Sequence, residues 1–417
     1  MAKIKKIIAR EILDSRGHPT IEAIIELEDL AVGVFSTPSG ISVGKFEAVE
    51  LRDKDPKRYT GLGVLKALEK IVRDVAPKLI GNEALNQEAI DKILIDIDGT
   101  TNKSSLGVNT VLAISGAVVK AQAASSNMPL YQYISKLLGA TSTQFALPTP
   151  MFNVINGGKH GIGNLDFQEF LFVLPKANAY SKNLKVGVEC YYALKESLIA
   201  HNASYLVGDE GGYAPSLYTN IDALKIMEEA ISRAGYQPGL DLFLSLDVAA
   251  SHIQEGGSYR LKDRPVPLTP DDLLDFYIYL NEQYRLLSIE DPLAEDDWSH
   301  WKTLTEKLGS QMLIIGDDLI ATNLERLNKA IGEKAVNGVI IKPNQIGTIT
   351  ETLKVVRVAQ EAKFKVVVSN RSGETNDDFI ADFAVAVGAD YVKFGAPARG
   401  ERVAKYNRLL EIEHELS

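Results

Sequence analysis

The sequence contains one cysteine, Cys190, so it can build neither an internal disulfide framework nor a thiolate metal cluster. A chain of this kind suits a reducing, cytoplasmic setting. No continuous apolar stretch reaches the roughly 18 residues a membrane span requires. The start, MAKIKKIIAREILD, alternates charge with short apolar runs where a signal peptide would be continuously apolar. Excess positive charge is missing too. The chain carries 55 acidic against 45 basic side chains, a net charge of −10, which excludes broad binding of nucleic acid or anionic membrane through a basic surface. A local anion site is still compatible with that balance.

The 417 residues are 45% hydrophobic, enough for a small domain joined to a barrel of a few hundred residues. Three strands are expected near the start, in KIIAREIL, TIEAIIELE and AVGVF, with a turn at DSRGHP. Helical periodicity follows in GVLKALEKIVRDVAPKLI, NQEAIDKILIDID and LGVNTVLAISGAVVKAQAA. Strands followed by helices indicate an α+β domain over residues 1–138. The small-residue and proline-rich segment GATSTQFALPTP then reads as a linker.

Residues 139–417 change pattern. LFLSLD, LLSIED, MLIIGDD, GVIIK, KVVVSN and DYVKF are short apolar runs, each generally followed by a helical stretch such as TITETLKVVRVAQEAK. Repeated βα units imply a parallel sheet, either doubly wound or closed into a barrel. The residues that end the runs favour a barrel: Asp247, Glu290, Asp317, Lys342, Asn370 and Lys393. In a (β/α)8 barrel such C-terminal strand ends meet at one mouth, where active sites sit.

Taken singly, each of these residues has a plainer role. An Asp just past a strand commonly caps the next helix, and Asp291 and Asp318 are expected to do so. A lysine at a strand end is commonly a solvated terminus. Together, however, three carboxylates and two lysines would repel or desolvate one another without a purpose. Asp247, Glu290 and Asp317 offer three hard oxygen ligands. With no cysteine partner and no paired histidine spacing, Mg2+ suits them better than Zn2+. Lys342, beside a metal and Lys393, is expected to work as a neutral amine base. The cluster RSGETNDD after KVVVSN raises the further prospect of an anion held by Arg371.

Long ordered stretches then resemble the enolase family over nearly the whole chain: AREILDSRG, SGISVG, DGTTNKSSLGVNTVLA, NVINGGKH, DFQEF, VGDEGGYAP, SIEDPLAEDDW, IKPNQIGT, SNRSGETNDDFIAD and GAPARGERVAKYNRLLEIE. The resemblance implies an N-terminal α+β capping domain (1–138) and a TIM-like (β/α)8 barrel of the enolase type (139–417). It implies the reversible dehydration of 2-phosphoglycerate to phosphoenolpyruvate, with two Mg2+ per subunit, in a cytoplasmic homodimer or larger homo-oligomer. Lys342 would take the proton, and Glu210 would protonate the departing hydroxide with Glu169 paired to it. Arg371 and Ser372 would bind phosphate within the Ser369–Ser372 loop, and Lys393 would hold the substrate carboxylate or the nearby oxygens. His160 and Gln168 would touch the substrate from other loops. Asp247, Glu290 and Asp317 would hold one Mg2+ and Ser42 the second. Two positions depart from the family pattern. Asn370 stands where most relatives carry histidine, which removes a group that titrates near neutral pH. Val43 replaces a threonine in the first loop.

Overall fold

The computed structural model describes residues 2–40, 44–139, 144–161, 165–176 and 178–417. The expected Ser42 and Val43 positions lie outside them.

The first sheet is antiparallel, in the order β1 (Ile4–Leu13), β2 (Pro19–Leu27), β3 (Val32–Ser36). The period-2 alternation of β2 turns Ile21, Ala23, Ile25 and Leu27 inward, all with no exposed surface. The helices α1 (Leu65–Lys70) and α2 (Ala76–Leu79), joined by a π-helical stretch Ile71–Val75, are followed by α3 (Gln87–Asp98), α4 (Val108–Ser125) and α5 (Leu130–Leu138). Helix α4 is apolar on nearly every side because it is enclosed. The sheet covers one face, and α3, α5 and the barrel's Pro343–Gln345 turn cover others. Gly33 permits this approach, since a Cβ there would lie 2.0 Å from the Ala117 carbonyl oxygen.

The second part is a closed eight-stranded barrel. Its strands are β4 (Thr149–Asn156), β5 (Glu169–Val173), β6 (Phe243–Asp247), β9 (Ser288–Glu290), β10 (Leu313–Gly316), β11 (Gly338–Ile341), β12 (Lys365–Ser369) and β13 (Tyr391–Lys393). The short hairpin β7 (Gln254–Glu255) and β8 (Ser258–Tyr259) lies outside it. The outer helices are α6 (Tyr180–Ala200), α7 (Asn220–Arg233), α8 (Pro270–Tyr284), α9 (Trp298–Leu308), α10 (Leu324–Glu333), α11 (Ile349–Glu361), α12 (Phe379–Ala386) and α13 (Gly400–Glu415). Met151, Leu171, Val173, Ile315, Ile340 and Val367 fill the barrel interior below the mouth.

The six expected runs became β6 and β9–β13. The barrel departs from an all-parallel sheet at β5, which pairs antiparallel with both β4 and β6. Among the described residues, the segment between β4 and β5 holds one short turn of helix, Gly158–His160, in place of the crossover helix that usually joins parallel strands. The reversal brings the first residue of β5 to the mouth, so Glu169 stands opposite Asp247, which in turn stands beside Glu290.

The first sheet also reaches the barrel. Ser39 and Gly373 exchange two backbone hydrogen bonds of 2.7 and 2.9 Å, and the Ser15 amide donates to the Glu374 carbonyl. These bonds bring the start of the 39–47 loop to the residues beyond β12.

Candidate active site

The mouth gathers Glu47, His160, Gln168, Glu169, Glu210, Asp247, Asp317, Lys342, Ser369, Asn370, Arg371, Ser372 and Lys393 around one small cavity of about 30 Å³. Glu290 joins them through Lys393. Apart from Ser42, the residues expected from sequence therefore meet in one place. A larger adjoining hollow of about 260 Å³ shares Gln168 and Ala249 and opens past Lys159, His252 and Arg260.

Lysines hold much of the acidic charge. Lys393 Nζ lies 2.8 Å from Asp247 Oδ2, 2.8 Å from Glu290 Oε2 and 3.0 Å from Glu169 Oε2. Burial alone would lower the Lys393 pKa, but these carboxylates push it well above the usual lysine value. Lys342 is ion-paired with Asp317. Burial opposes the charged form there too, yet Asp317 outweighs it and raises the Lys342 pKa. The charge nearest Lys342 is thus the Asp317 carboxylate, which favours the charged form, whereas a neighbouring lysine favours the neutral one. Asp317 is lowered despite its burial, chiefly by Lys342, and accepts from Gln345 Nε2 at 2.9 Å.

On the other wall His160 Nδ1 is 3.1 Å from Glu169 Oε1 and 3.9 Å from Glu210 Oε1. Burial would raise Glu210, but His160, Arg402, Lys393 and Lys342 together hold its pKa below the ordinary carboxylate value. The surrounding cations thus favour the charged form of Glu210, against its burial.

Arg371 is buried and makes a two-pronged contact with Glu47, at 2.7 and 3.2 Å, while Asn344 Oδ1 accepts from it at 3.0 Å. The Arg371 backbone amide donates to Glu374 Oε1, and Lys405 pairs with the other oxygen of that carboxylate. Asn370 donates from Nδ2 to the Arg371 carbonyl at 2.9 Å.

Asp291 and Asp318 are not helix caps. Asp291 accepts the Asp317 and Asp318 backbone amides at 3.0 and 2.8 Å, tying β9 to the end of β10. Asn323 caps α10 instead. Burial and the adjacent Asp317 push Asp318 up to about 7. Sequence reasoning also missed Glu47, Asn344, Gln345 and Arg402. The amide pair directly after IKP carried a usable signal, as polar groups just past a barrel strand end. Glu47 carried none, because the surrounding KFEAVELRD looks like ordinary solvated sequence.

The donor set fits a hard divalent cation. The cavity lining holds seven carboxylates against Lys342, Arg371 and Lys393. Glu290 Oε1 is buried without a hydrogen-bond partner among the described residues. Apart from one imidazole, the candidate ligands there are carboxylate oxygens, the donors Mg2+ prefers. Oxygens of Asp291, Asp317 and Asp318 form a set within 4.8 Å of one another, and His160, Glu169 and Glu210 form another.

Comparison with known families accounts for both parts of the chain. Residues 4–134 match the model of the enolase N-terminal domain, and residues 144–417 match that of the enolase C-terminal TIM barrel domain. The chain belongs to the enolase family. Enolase-family membership explains why a capping sheet and a barrel with one reversed strand share a single mouth. It also places this site among those that typically use Mg2+.

Proposed function

We propose that this enolase-family protein is a lyase that reversibly dehydrates 2-phosphoglycerate to phosphoenolpyruvate with Mg2+, in the cytoplasm, as a step of glycolysis and gluconeogenesis. The observation that carries the reading is the convergence of Lys342, Glu210 and Arg371 on one buried cavity ringed by Asp247, Asp317 and Glu169. The reaction removes a proton from a carbon beside an existing carboxylate, so it needs a base, an acid for the departing hydroxide, and strong positive charge at the carboxylate. Mg2+ held by Asp247, Glu290 and Asp317, with Ser42 as ligand to a second ion, would supply that charge as a Lewis acid. A metal-assisted lysine base is the standard description of the enolase superfamily.

The protein's own side chains do the remaining work. Lys342, as the neutral amine, takes the proton and becomes an ammonium facing Asp317. Glu210 delivers a proton to the leaving hydroxide, with His160 and Glu169 at its side. Arg371 presents a planar guanidinium that does not titrate, and with Ser372 it binds phosphate. Lys393 faces the substrate carboxylate, while Gln168 and Ser369 bound the pocket. The reading takes 1–138 as the capping domain and 139–417 as the catalytic barrel of a homodimer or larger homo-oligomer. No described helix is long and apolar enough to cross a membrane.

The test is phosphoenolpyruvate formation from 2-phosphoglycerate, followed by ultraviolet absorbance with and without Mg2+. A panel of unphosphorylated 2-hydroxy acids runs alongside. Mg2+-dependent turnover confined to the phosphorylated acid supports the reading. Turnover of unphosphorylated acids alone overturns it.

A further inference from the structure

Helix α13 sends a cation under the active site whose hydrogen bonds do more than set charge near Glu210. Arg402 has no exposed surface. Its Nη1 donates to the Arg371 carbonyl at 2.6 Å, and its Nη2 donates to the Ser372 carbonyl at 2.7 Å and to the Asp209 carbonyl at 3.4 Å. Its Nε has no hydrogen-bond partner among the described residues, and Glu401 lies 3.4 Å from it. A buried guanidinium spent mainly on neutral carbonyls is an expensive way to fill space, and an apolar side chain of similar length would fill it at less cost. The carbonyls it joins explain its presence. Two belong to the anion loop after β12, and the third belongs to the residue before Glu210.

Two more hydrogen bonds close the same unit. The Ala396 amide donates to the Glu210 carbonyl at 2.9 Å, and Tyr406 Oη donates to the Gly395 carbonyl at 2.7 Å. A Cβ on Gly395, whose φ is +83°, would lie 2.8 Å from the Glu210 carbonyl oxygen and 3.0 Å from Arg402 Cδ. The turn bearing Glu210, the segment after Lys393 and the loop bearing Arg371 are thus assembled around one side chain, although they come from distant parts of the sequence.

We propose that Arg402 is a positioning residue that holds the Glu210 turn and the Arg371–Ser372 loop as one rigid unit, so that an anion bound at Arg371 is kept in register with the proton donor. The inference rests on the proposed dehydration for its catalytic meaning, but its structural content is a coupling between two loops. A loss of registration of about 1 Å is enough to slow an oriented reaction by roughly 10²-fold.

The experiment uses the full-length chain. Arg402→Lys keeps the charge but cannot reach three carbonyls at once, and Arg402→Gln removes the charge. Arg408→Gln, on the same helix and paired with Asp382 away from the mouth, is the control for stability alone. For each we would record circular dichroism, melting temperature, KM, kcat and the calorimetric affinity for inorganic phosphate. The expected result for Arg402→Lys is a folded protein with phosphate affinity and kcat both reduced roughly 10–100-fold. Arg408→Gln should lower the melting temperature with both unchanged. Arg402 variants that behave like Arg408→Gln overturn the proposal.

A second measurement needs no variant. In wild type, saturating inorganic phosphate should slow hydrogen exchange in residues 208–212 as well as in 370–373. Protection confined to 370–373, or no phosphate binding at all, also overturns the coupling. The two readings separate cleanly. Coupled protection without turnover of 2-phosphoglycerate defeats the dehydratase reading alone. Normal turnover with uncoupled loops defeats the Arg402 assignment alone.

Discussion

Lys342 and Asp317 are the pair on which base chemistry depends, and their contact holds the lysine's proton. Removing the lysine while leaving the strand intact should therefore be a chemical lesion rather than a folding one. Lys342→Ala is expected to lower turnover roughly 10²–10⁴-fold with unchanged circular dichroism. Near-wild-type rates would remove Lys342 as the base. Asn370 poses a different question at the same scale. Its side chain donates to the Arg371 carbonyl, which Arg402 also engages, so it braces the anion loop. Asn370→His should preserve the brace and add a group that titrates near neutral pH, giving the rate profile a new limb between about pH 6 and 7. If pH profile and KM both stay as they were, the side chain does not tune the site. The residue types at Lys342, Asn370 and Arg371 were readable from the sequence because each ends or follows an apolar run. Their partners were not. Glu47 lies more than 300 positions from Arg371, and no local pattern links them.

At the scale of elements, α3 meets α11 through a buried acid. Asp91 accepts the Thr350 amide at 2.9 Å and the Gln87 side-chain amide at 2.9 Å. Burial pushes its pKa up to about 6 despite these bonds. A carboxyl raised in the folded state binds its proton more tightly there than in the unfolded chain. Its contribution to stability is therefore complete below about pH 4 and is lost as pH rises through about 6. The loss amounts to roughly 2–3 kcal/mol. Asp91→Asn should flatten that part of the pH-stability curve, as read by urea unfolding at pH 4.5 and 7. An unchanged slope would mean that Asp91 stays ionised in the fold. The three early strands and the helices through α4 were legible because period 2 and period 3.6 are strong there. Strands β4 and β5 were not, since the connection from β4 to β5 shows no βα helix among its described residues, and the reversal of β5 is set by its pairing with both β4 and β6.

Across the whole molecule, the mouth carries more negative charge than its lysines and Arg371 offset. A divalent cation should therefore be both a catalytic requirement and a stabilising ligand. Exhaustive chelation is expected to abolish activity, and added Mg2+ to restore it. Mg2+ should also raise the melting temperature, because it binds the assembled mouth and not the unfolded chain. Full activity after metal removal would sink this prediction. The docking of the first sheet onto the barrel matters equally, since Ser39 pairs with Gly373 through their backbones and Glu47 pairs with Arg371.

The sequence by itself determined the kinds of element, the acidic and basic residues at the barrel's strand ends, and the shortage of cysteine and of basic charge that narrows the chemistry. Those features depend on local period and composition. Only the tertiary structure decided that Glu169 reaches the mouth from a reversed strand, that Lys342 is paired with Asp317, and that Arg402 fastens two loops from beneath. Each of these depends on ladder register or on contacts between residues far apart in the chain. Such contacts are selected by the closing of the barrel and the burial of charge, which no stretch of sequence expresses alone.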